Sequence, residues 1–255
     1  MPTRESLSLY WYLLRTFRNG ARLAQALRTR RPCGRAVLWN GGEILHPPAR
    51  LGLAETISEV WHRQAYTFGD FYRPSVGDVV VDGGANVGLF TIWIARQTPG
   101  VRVLAIEPFD ENFGYLQTNL ARVAGATAHR LALGSRFGSG TMVRRGTRSL
   151  DHQLDAAVEP ATDTPVPMVP LQGVLELTTT RVAFLKLDIE GAERDLFDTA
   201  SPAILRCFDR IALEYHDHIT PGTLALLEER LSRTHRLAVY PSALAGCGVL
   251  RAWRS

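Results

Sequence analysis

Apolar residues recur at steps of three and four along residues 5–29, which predicts a single amphipathic helix. We expect its apolar stripe to pack on the body of the protein or on a second copy of the chain. Short apolar runs flank the turn sequence at 40–42 and predict a hairpin, and residues 51–66 predict another helix. The stripe consists of Leu7, Tyr10, Leu14, Phe17, Ala21 and Ala24.

From residue 77 onward, short apolar strands alternate with helical segments. Repeated strand–helix–strand units predict an α/β fold, with a doubly wound, mostly parallel sheet and helices on both faces. Two final strands, at 236–240 and 248–253, are expected to form an antiparallel edge. The other predicted strands are 78–81, 101–106, 128–133, 181–187 and 211–215, and the predicted helices are 87–97, 109–123, 192–197 and 223–232.

These patterns divide the chain into two parts. Residues 1–75 predict an N-terminal helical arm with a hairpin, and residues 76–255 predict the α/β domain. Within the second part, residues 135–165 are rich in Gly, Ser, Asp and Pro and are too long for a simple connection. We therefore expect a short hairpin and a flexible lid there.

The composition is that of a soluble globular protein, with 45% hydrophobic and 21% charged residues among 255. No apolar run approaches the ~20 residues that cross a bilayer, and arginines interrupt the N-terminal apolar stretch, which argues against a secretory signal. The three cysteines, Cys33, Cys207 and Cys247, form no CxxC pair and indicate a reducing compartment. We therefore expect a cytoplasmic protein without a membrane span.

Positive charge is concentrated at the N-terminus. Residues 1–35 contain eight arginines and one acid, a net charge of +7, whereas residues 36–255 contain 21 basic and 24 acidic residues, a net charge of −3. A nucleic-acid groove needs positive charge on the body, so we expect no nucleic-acid partner. Only one of the 29 basic residues is a lysine, Lys186, which suggests that a compact, titratable amine is needed there.

A glycine-rich turn follows the first strand of the α/β domain, where ligands bind in doubly wound sheets. Its spacing differs from the GxGxxG pattern of dinucleotide-binding turns, and Asp82 would repel a pyrophosphate. A ligand with an ammonium and a sulfonium group would be attracted instead, so we expect S-adenosylmethionine (SAM), with its amino group near Asp82 and its backbone near Gly84. The turn is Asp82-Gly83-Gly84-Ala85-Asn86-Val87-Gly88.

A second acid ends the next strand, at Glu107-Pro108. A carboxylate in this position can accept hydrogen bonds from both hydroxyls of a ribose. Together with the glycine-rich turn, Glu107 therefore favours an adenosyl ligand.

Two later strands also end in ionisable residues. Strand alternation puts Lys186 and Asp188 on one face, and Glu214 and His216 share a face at the end of the following strand. The carboxyl ends of parallel strands meet at one edge of a sheet, so we expect these side chains to converge. Such a group can hold a divalent metal ion or deprotonate a hydroxyl.

Over residues 60–240 these motifs resemble the FkbM-type SAM-dependent O-methyltransferases. The resemblance implies a class I methyltransferase fold and methylation of hydroxyls of sugars, glycans, polyketides and related metabolites. One departure is Gln172, which follows Leu171 where the family often has aspartate. The matching segments are residues 77–88, Glu107-Pro108 with Asn112, Phe113, Leu116, Asn119 and Leu120, then Leu133-Gly134, residues 185–193, and Glu214 with His216.

Methyl transfer to an alcohol requires alignment of the acceptor oxygen and removal of its proton. We expect Asp188 and His216 to be catalytic, with Lys186 as a base or as electrostatic support. If a metal ion lowers the hydroxyl pKa, its ligands are expected to be Asp188, Glu214 and His216, a set that favours Mg²⁺ over Zn²⁺. The expected SAM-binding residues are Asp82, Gly83, Gly84, Asn86, Gly88, Glu107, Pro108 and Leu133.

Other classes of function stay open from the sequence. An NAD-dependent oxidoreductase shares this type of sheet but needs the glycine spacing that is missing here. A noncatalytic subunit would keep the sheet and act as a scaffold through the basic helix. A nucleic-acid methyltransferase is disfavoured by the acidic body and by the lack of an Asn/Asp-Pro-Pro-Tyr/Phe base-binding motif. We expect the N-terminal arm to form a homodimer contact or to contribute to the acceptor site.

Overall fold

The protein is an α/β structure, and its computed structural model describes residues 4–144, 152–155, 165–178 and 181–254. The strands are β1 (Arg35–Val37), β2 (Glu43–Leu45), β3 (Val79–Gly83), β4 (Arg102–Ile106), β5 (Ala126–His129), β6 (Ala132–Leu133), β7 (Gly138–Arg144), β8 (His152–Asp155), β9 (Pro165–Val169), β10 (Val182–Leu187), β11 (Phe208–His216), β12 (Arg236–Pro241) and β13 (Cys247–Trp253). The α-helices are α1 (Arg4–Thr16), α2 (Gly20–Thr29), α3 (Leu53–Thr56), α4 (Leu89–Ala95), α5 (Asp110–Leu120), α6 (Leu171–Thr178), α7 (Glu193–Asp198), α8 (Pro202–Leu205) and α9 (Thr223–Leu231).

The central sheet has seven strands in the order β5-β4-β3-β10-β11-β13-β12. The chain winds outward from β3 to β5, returns to the middle at β10 and then winds the other way. Strands β3 and β10 are parallel neighbours, so the strand order reverses between them. Such a reversal leaves a crevice at the carboxyl ends of the two strands, where open α/β sheets bind ligands.

Alternate residues of each strand enter two hydrophobic layers. Val80 and Phe184 pack with α4, α5 and the N-terminal helices on one face of the sheet. Val81 and Leu185 pack with α6, α7 and α9 on the other face. Because Leu13 and Phe17 of the N-terminal segment belong to the first layer, that segment and the sheet share one hydrophobic core.

The N-terminal segment forms two helices, so the predicted single helix is wrong. The break between the two helices lies at residues 17–19. There the Asn19 side chain binds β1: it donates to Arg35 O at 2.9 Å and accepts from Val37 N at 2.9 Å. Because of this break, the apolar positions of α1 and α2 do not continue one helical repeat. The fully buried residues are therefore Leu13, Phe17 and Leu23, whereas Leu7 and Tyr10 of the predicted stripe are exposed.

The predicted helix at 51–66 is shorter and has two parts. Helix α3 continues directly into a π-helical segment, Ile57–His62, which buries Ile57, Val60 and Trp61. Trp61 Nε1 donates to Leu89 O at 2.9 Å, which ties this segment to the start of α4. Isolated π-helical turns occur frequently at functional sites.

A second sheet, in the order β6-β9-β7-β8, accompanies the central one. The segment predicted as one strand at 128–133 divides at His129, because β5 belongs to the central sheet and β6 to the second. Strands β7 and β8 pair antiparallel, as expected for the hairpin at the start of the predicted lid. The rest of that prediction, at 145–151 and 156–164, lies outside the described residues.

The remaining strands and helices predicted for the α/β domain are confirmed to within a few residues at each end. The final pair of strands is antiparallel, but β12 is the edge strand and β13 lies one position inside it, between β11 and β12. Sequence patterns gave no expectation for α8. No helix among the described residues has the length and apolarity to cross a membrane.

Candidate active site

The turn after β3 approaches the end of β10 with no space for a side chain. Gly84 has a φ of +71°, and a Cβ on it would lie 1.8 Å from the carbonyl oxygen of Asp188. The Gly84 and Ala85 amides both donate to Ile106 O, at 3.0 and 2.9 Å, which fixes the turn to the end of β4. Glycine at position 84 therefore allows the backbones of β3 and β10 to close together at the crevice.

Glu107 closes the same turn from the end of β4. Its carboxylate accepts from Asn86 N at 2.8 Å and from Phe109 N at 3.0 Å. Burial raises the pKa of Glu107 to about 7, although these backbone bonds act in the opposite direction. The carboxyl group is thus buried in the crevice and held in a fixed orientation.

Asp82 and Lys186 form an ion pair beneath the turn. Lys186 Nζ lies 3.1 Å from Asp82 Oδ1 and donates to Gly84 O at 2.9 Å. The other carboxylate oxygen of Asp82 accepts from Thr91 at 2.7 Å. Burial by itself lowers the pKa of Lys186, but Asp82 and Asp188 outweigh burial and raise it. Lys186 is therefore a buried cation at neutral pH.

Asp188 follows β10 and lines the cleft between β4 and β10. Its amide donates to Gly83 O at 3.1 Å, and its Oδ2 accepts from the Tyr66 hydroxyl at 3.1 Å. Its Oδ1 has no hydrogen-bond partner among the described residues. Burial and the Asp188 charge raise the pKa of Tyr66, so this phenol is a neutral donor.

His216 lies between two glutamates. Its Nδ1 is 3.0 Å from Glu193 Oε1, and its Nε2 is 3.6 Å from Glu190 Oε2. Burial lowers the pKa of His216, but the bond to Glu193 and the charges of Asp188 and Glu190 outweigh it and raise the pKa to about 10. Burial raises the pKa of Glu190 to about 9, with the Asp188 charge adding to it.

Glu214 lies near the end of β11, two residues before His216. It accepts from Cys247 Sγ at 3.2 Å. Burial, together with the charges of Asp188 and Glu59, raises the pKa of Glu214 to about 7. Burial and Glu214 raise the pKa of Cys247 to about 12, so its thiol stays protonated.

Candidate metal ligands form two groups in the described part of the chain. Ligand atoms of Asp188, Glu190 and His216 lie within 4.8 Å of one another, and so do those of Glu214, His216 and Cys247. The three ligands predicted from the sequence are thus divided between two groups that share His216. Glu190 and Cys247 were not among the predicted ligands.

One cleft joins the end of β4 to the end of β10. Five of the eight predicted SAM-binding residues line it. Asp82 does not, because its side chain is fully buried, so the predicted direct contact with a ligand amine does not fit this arrangement. Gly83 and Gly88 also lie outside the lining. The lining residues are Gly84, Asn86, Ile106, Glu107, Pro108, Asn112, Leu131, Ala132, Leu133, Met142, Asp188, Ile189, Glu190 and Ala192.

A second cleft borders the first and shares Gly84, Asn86 and Asp188 with it. Glu59 of the π-helical segment and Tyr66 line it on the other side. Neither residue was predicted from the sequence, since Tyr66 meets Asp188 only across 122 positions of the chain. The aromatic-rich residues 61–72 carried no recognisable motif.

The strand order and the cleft at the switch point define a class I methyltransferase fold. Residues 82–234, more than half of the chain, match the family described as methyltransferase FkbM domain. The chain therefore belongs to the FkbM methyltransferase family, as its motifs predicted.

Three relatives illustrate the similarity. The chain is 26% identical over 194 residues to Methyltransferase 1 of Beauveria bassiana (strain ARSEF 2860), covering 68% of this chain and 77% of the relative. It is 26% identical over 190 residues to Methyltransferase sdnD of Sordaria araneosa, covering 59% and 72%. It is 35% identical over 97 residues to 31-O-demethyl-FK506 methyltransferase FkbM of Streptomyces tacrolimicus, covering 36% of this chain and 33% of the relative.

Solved structures of methyltransferases are more distant in sequence. A putative methyltransferase from Streptococcus mutans in complex with SAH matches with a TM-score of 0.46 at 9% identity, covering 71% of this chain and 90% of that one. An rRNA methylase from Streptococcus thermophilus matches with a TM-score of 0.46 at 11% identity, covering 71% and 89%.

Proposed function

We propose that the protein transfers the methyl group of SAM to a hydroxyl oxygen of a small molecule of the sugar, glycan or polyketide type. The observation that carries this proposal is the continuity of one cleft from Glu107 to Asp188 and Glu190. A ribose at Glu107 and a hydroxyl at Asp188 would share that cleft. The relative named 31-O-demethyl-FK506 methyltransferase supports oxygen as the acceptor atom.

The residues that line the cleft suit parts of SAM. Glu107 offers carboxylate oxygens to the ribose hydroxyls, and Leu131, Leu133 and Met142 form an apolar wall for an adenine ring. Gly84 and Asn86 of the turn after β3 line the same cleft.

Asp188 is the candidate base. When bound, SAM supplies an activated methyl group, so the chain has to align the acceptor oxygen and take its proton. The Oδ1 of Asp188 has no hydrogen-bond partner among the described residues and is the candidate acceptor of that proton, while Tyr66 and the Gly83 carbonyl hold the rest of the residue in place. Tyr66 is thus a positioning residue for Asp188.

Of the two roles predicted for Lys186, base or electrostatic support, the Asp82 ion pair and the raised pKa favour support. His216 has a similar environment, because its bond to Glu193 favours the protonated ring. Both cations offset the negative charge of the cluster around Asp188 and keep its side chains in place.

A divalent cation is the alternative means of activating the hydroxyl. Asp188, Glu190 and His216 present ligand atoms within 4.8 Å of one another, and the Glu193 bond to Nδ1 leaves Nε2 of His216 directed at Glu190. Their oxygen-rich character favours Mg²⁺. Turnover that survives exhaustive chelation would exclude this alternative, and turnover that is lost and restored by Mg²⁺ would establish it.

The proposed function is tested by ligand binding and by methyl transfer. We expect S-adenosylhomocysteine to raise the melting temperature of the protein and NAD to leave it unchanged. Labelled SAM incubated with extracted metabolites should then yield a labelled ether, and Asp188→Asn should abolish the label while retaining S-adenosylhomocysteine binding. Stabilisation by NAD would support the oxidoreductase, and stabilisation by neither ligand would support the scaffold.

A further inference from the structure

Helix α1 directs an apolar face outward. Leu7, Tyr10, Trp11 and Leu14 follow the spacing that aligns side chains along one side of a helix. Trp11 is 59% exposed, and Leu7 and Tyr10 are more than 40% exposed, whereas Leu13 on the opposite side is fully buried. The helix therefore has a face for the core and a second apolar face without a partner in the described structure.

Trp39, from the turn between β1 and β2, extends this face. Its indole nitrogen donates to Leu14 O at 3.0 Å, yet the residue is 62% exposed. The hydrogen bond fixes the ring beside the C-terminal end of α1, while most of its surface points to solvent. We call Leu7, Tyr10, Trp11, Leu14 and Trp39 the arm surface.

Arginines flank the arm surface. Arg4, Leu7, Trp11 and Arg15 follow one another at steps of three and four, so both arginines lie on the outward side of α1. No ion pair between described residues involves Arg4, Arg15, Arg18 or Arg22. Residues 1–35 have a net charge of +7 although the rest of the chain is slightly negative.

We infer that the arm surface binds the headgroup region of an anionic membrane, with α1 lying in the plane of the lipid surface. Exposed aromatic rings with a polar edge, next to arginines that have no acidic partner among the described residues, are complementary to acyl chains below a negatively charged headgroup layer. A partner protein of the same apolar character would leave that positive charge uncompensated. This binding does not depend on the proposed reaction.

The test is flotation of the 255-residue chain with lipid vesicles. We expect it to float with vesicles that contain about one-third phosphatidylglycerol and not with pure phosphatidylcholine. Because headgroup attraction is screened by salt, binding should fall sharply at about 0.5 M NaCl. Failure of the folded chain to bind the anionic vesicles would overturn the inference.

Two variants locate the contact. Trp11→Ser should weaken binding by about tenfold or more, because a large apolar side chain no longer leaves water. Arg4→Gln with Arg15→Gln should weaken it about 30-fold, since each arginine near an anionic surface contributes about fivefold. Circular dichroism and the melting temperature show whether the variants stay folded.

Matched controls come from exposed residues elsewhere in the chain. Leu244→Ser removes an apolar side chain that is 57% exposed, and Arg233→Gln removes an exposed charge. Neither control should change vesicle binding, and a loss equal to that of the arm variants would overturn the location. A concentration-dependent dimer in light scattering that Trp11→Ser abolishes would instead assign the arm surface to a second copy of the chain.

Discussion

Lys186 Nζ lies 3.1 Å from Asp82 Oδ1, and the two side chains are 5% and 0% exposed. The strand register makes these residues direct neighbours on β10 and β3. Their opposite charges therefore hold together the two strands that form the switch point of the sheet. A compact ammonium fits between Asp82 and the carbonyl oxygens of Gly83 and Gly84, which gives a physical reason for the chain's lone lysine.

Replacing this lysine should destabilise the fold. Lys186→Met leaves the Asp82 charge buried and unpaired, so we expect the free energy of unfolding to fall by about 3–5 kcal/mol. Lys186→Arg should also destabilise, because the planar guanidinium is too large for the space that Nζ occupies. Urea denaturation measures the free energy of unfolding of both variants.

The double variant Lys186→Met with Asp82→Asn is the internal control, since it removes both charges and should recover part of the loss. Arg233→Met breaks an exposed ion pair with Glu229 and should change stability by about 0.5 kcal/mol or less. Full stability of Lys186→Met alone would contradict the role of the pair.

Ligand affinity should depend on the protonation of Glu107. Burial raises the pKa of this carboxyl to about 7, so it is mostly protonated at about pH 6 and ionised at about pH 8. If ribose hydroxyls donate to the ionised form, S-adenosylhomocysteine has to displace the proton at the lower pH. Affinity should then be constant above about pH 8 and fall by up to about tenfold per pH unit below about pH 7.

Calorimetric titration across this range measures the effect. Glu107→Gln should bind about tenfold or more weakly at pH 8, because a charge-assisted hydrogen bond is lost, and should show no such pH dependence. An unchanged pH profile in the variant would assign the titration to another group.

Turnover should depend on the Tyr66 hydroxyl. Tyr66→Phe removes the donor to Asp188 Oδ2, and we expect the rate of a single turnover to fall by about tenfold or more, the loss typical of a hydrogen bond to a charged group. The dissociation constant of S-adenosylhomocysteine should stay the same, because Tyr66 does not line the cleft that holds Glu107.

Tyr72→Phe is the matched control. The Tyr72 hydroxyl donates to Asp78 Oδ2 at 2.8 Å, a bond of the same kind outside both clefts. Its loss should leave single-turnover rates unchanged. Equal losses in the two variants would indicate general destabilisation rather than positioning of Asp188.

Arg251 should be sensitive to a conservative change. Its guanidinium donates to Phe68 O at 2.8 Å and to Ala65 O at 3.2 Å, with its carbon 3.4 Å from the Phe68 ring centroid. Lysine cannot reproduce both bonds and the stacking, so Arg251→Lys should lower the free energy of unfolding by about 1–3 kcal/mol. Arg254→Lys, at a more exposed carbonyl contact, should have a smaller effect in the same denaturation assay.

Local patterns were sufficient to predict the sheet and much of the cleft. Strand β3 is a short apolar run followed by glycines, and Glu107 and Asp188 directly follow strands, so their meeting at one sheet edge follows from parallel topology. An apolar strand and the acid that follows it are both encoded by a few adjacent residues, so they can be read from the sequence. The family match over 82–234 covers the same segments.

Long-range contacts account for the structural features that the sequence did not predict. The break between α1 and α2 depends on hydrogen bonds from Asn19 to β1, and no periodicity of the helix itself encodes them. Asp82 looked available to a ligand because its burial depends on Lys186, about one hundred residues later. Tyr66 likewise meets Asp188 only in the folded chain.

The inner position of β13 has a consequence for synthesis on the ribosome. This strand is the last of the described strands to emerge, yet it pairs with β11 from Arg210 to His216 and also holds β12. A nascent chain that lacks residues 247–253 therefore exposes an open, hydrophobic strand edge in the middle of the future sheet. Such a chain cannot complete this sheet until β13 emerges, and during that delay the open edge is exposed to aggregation.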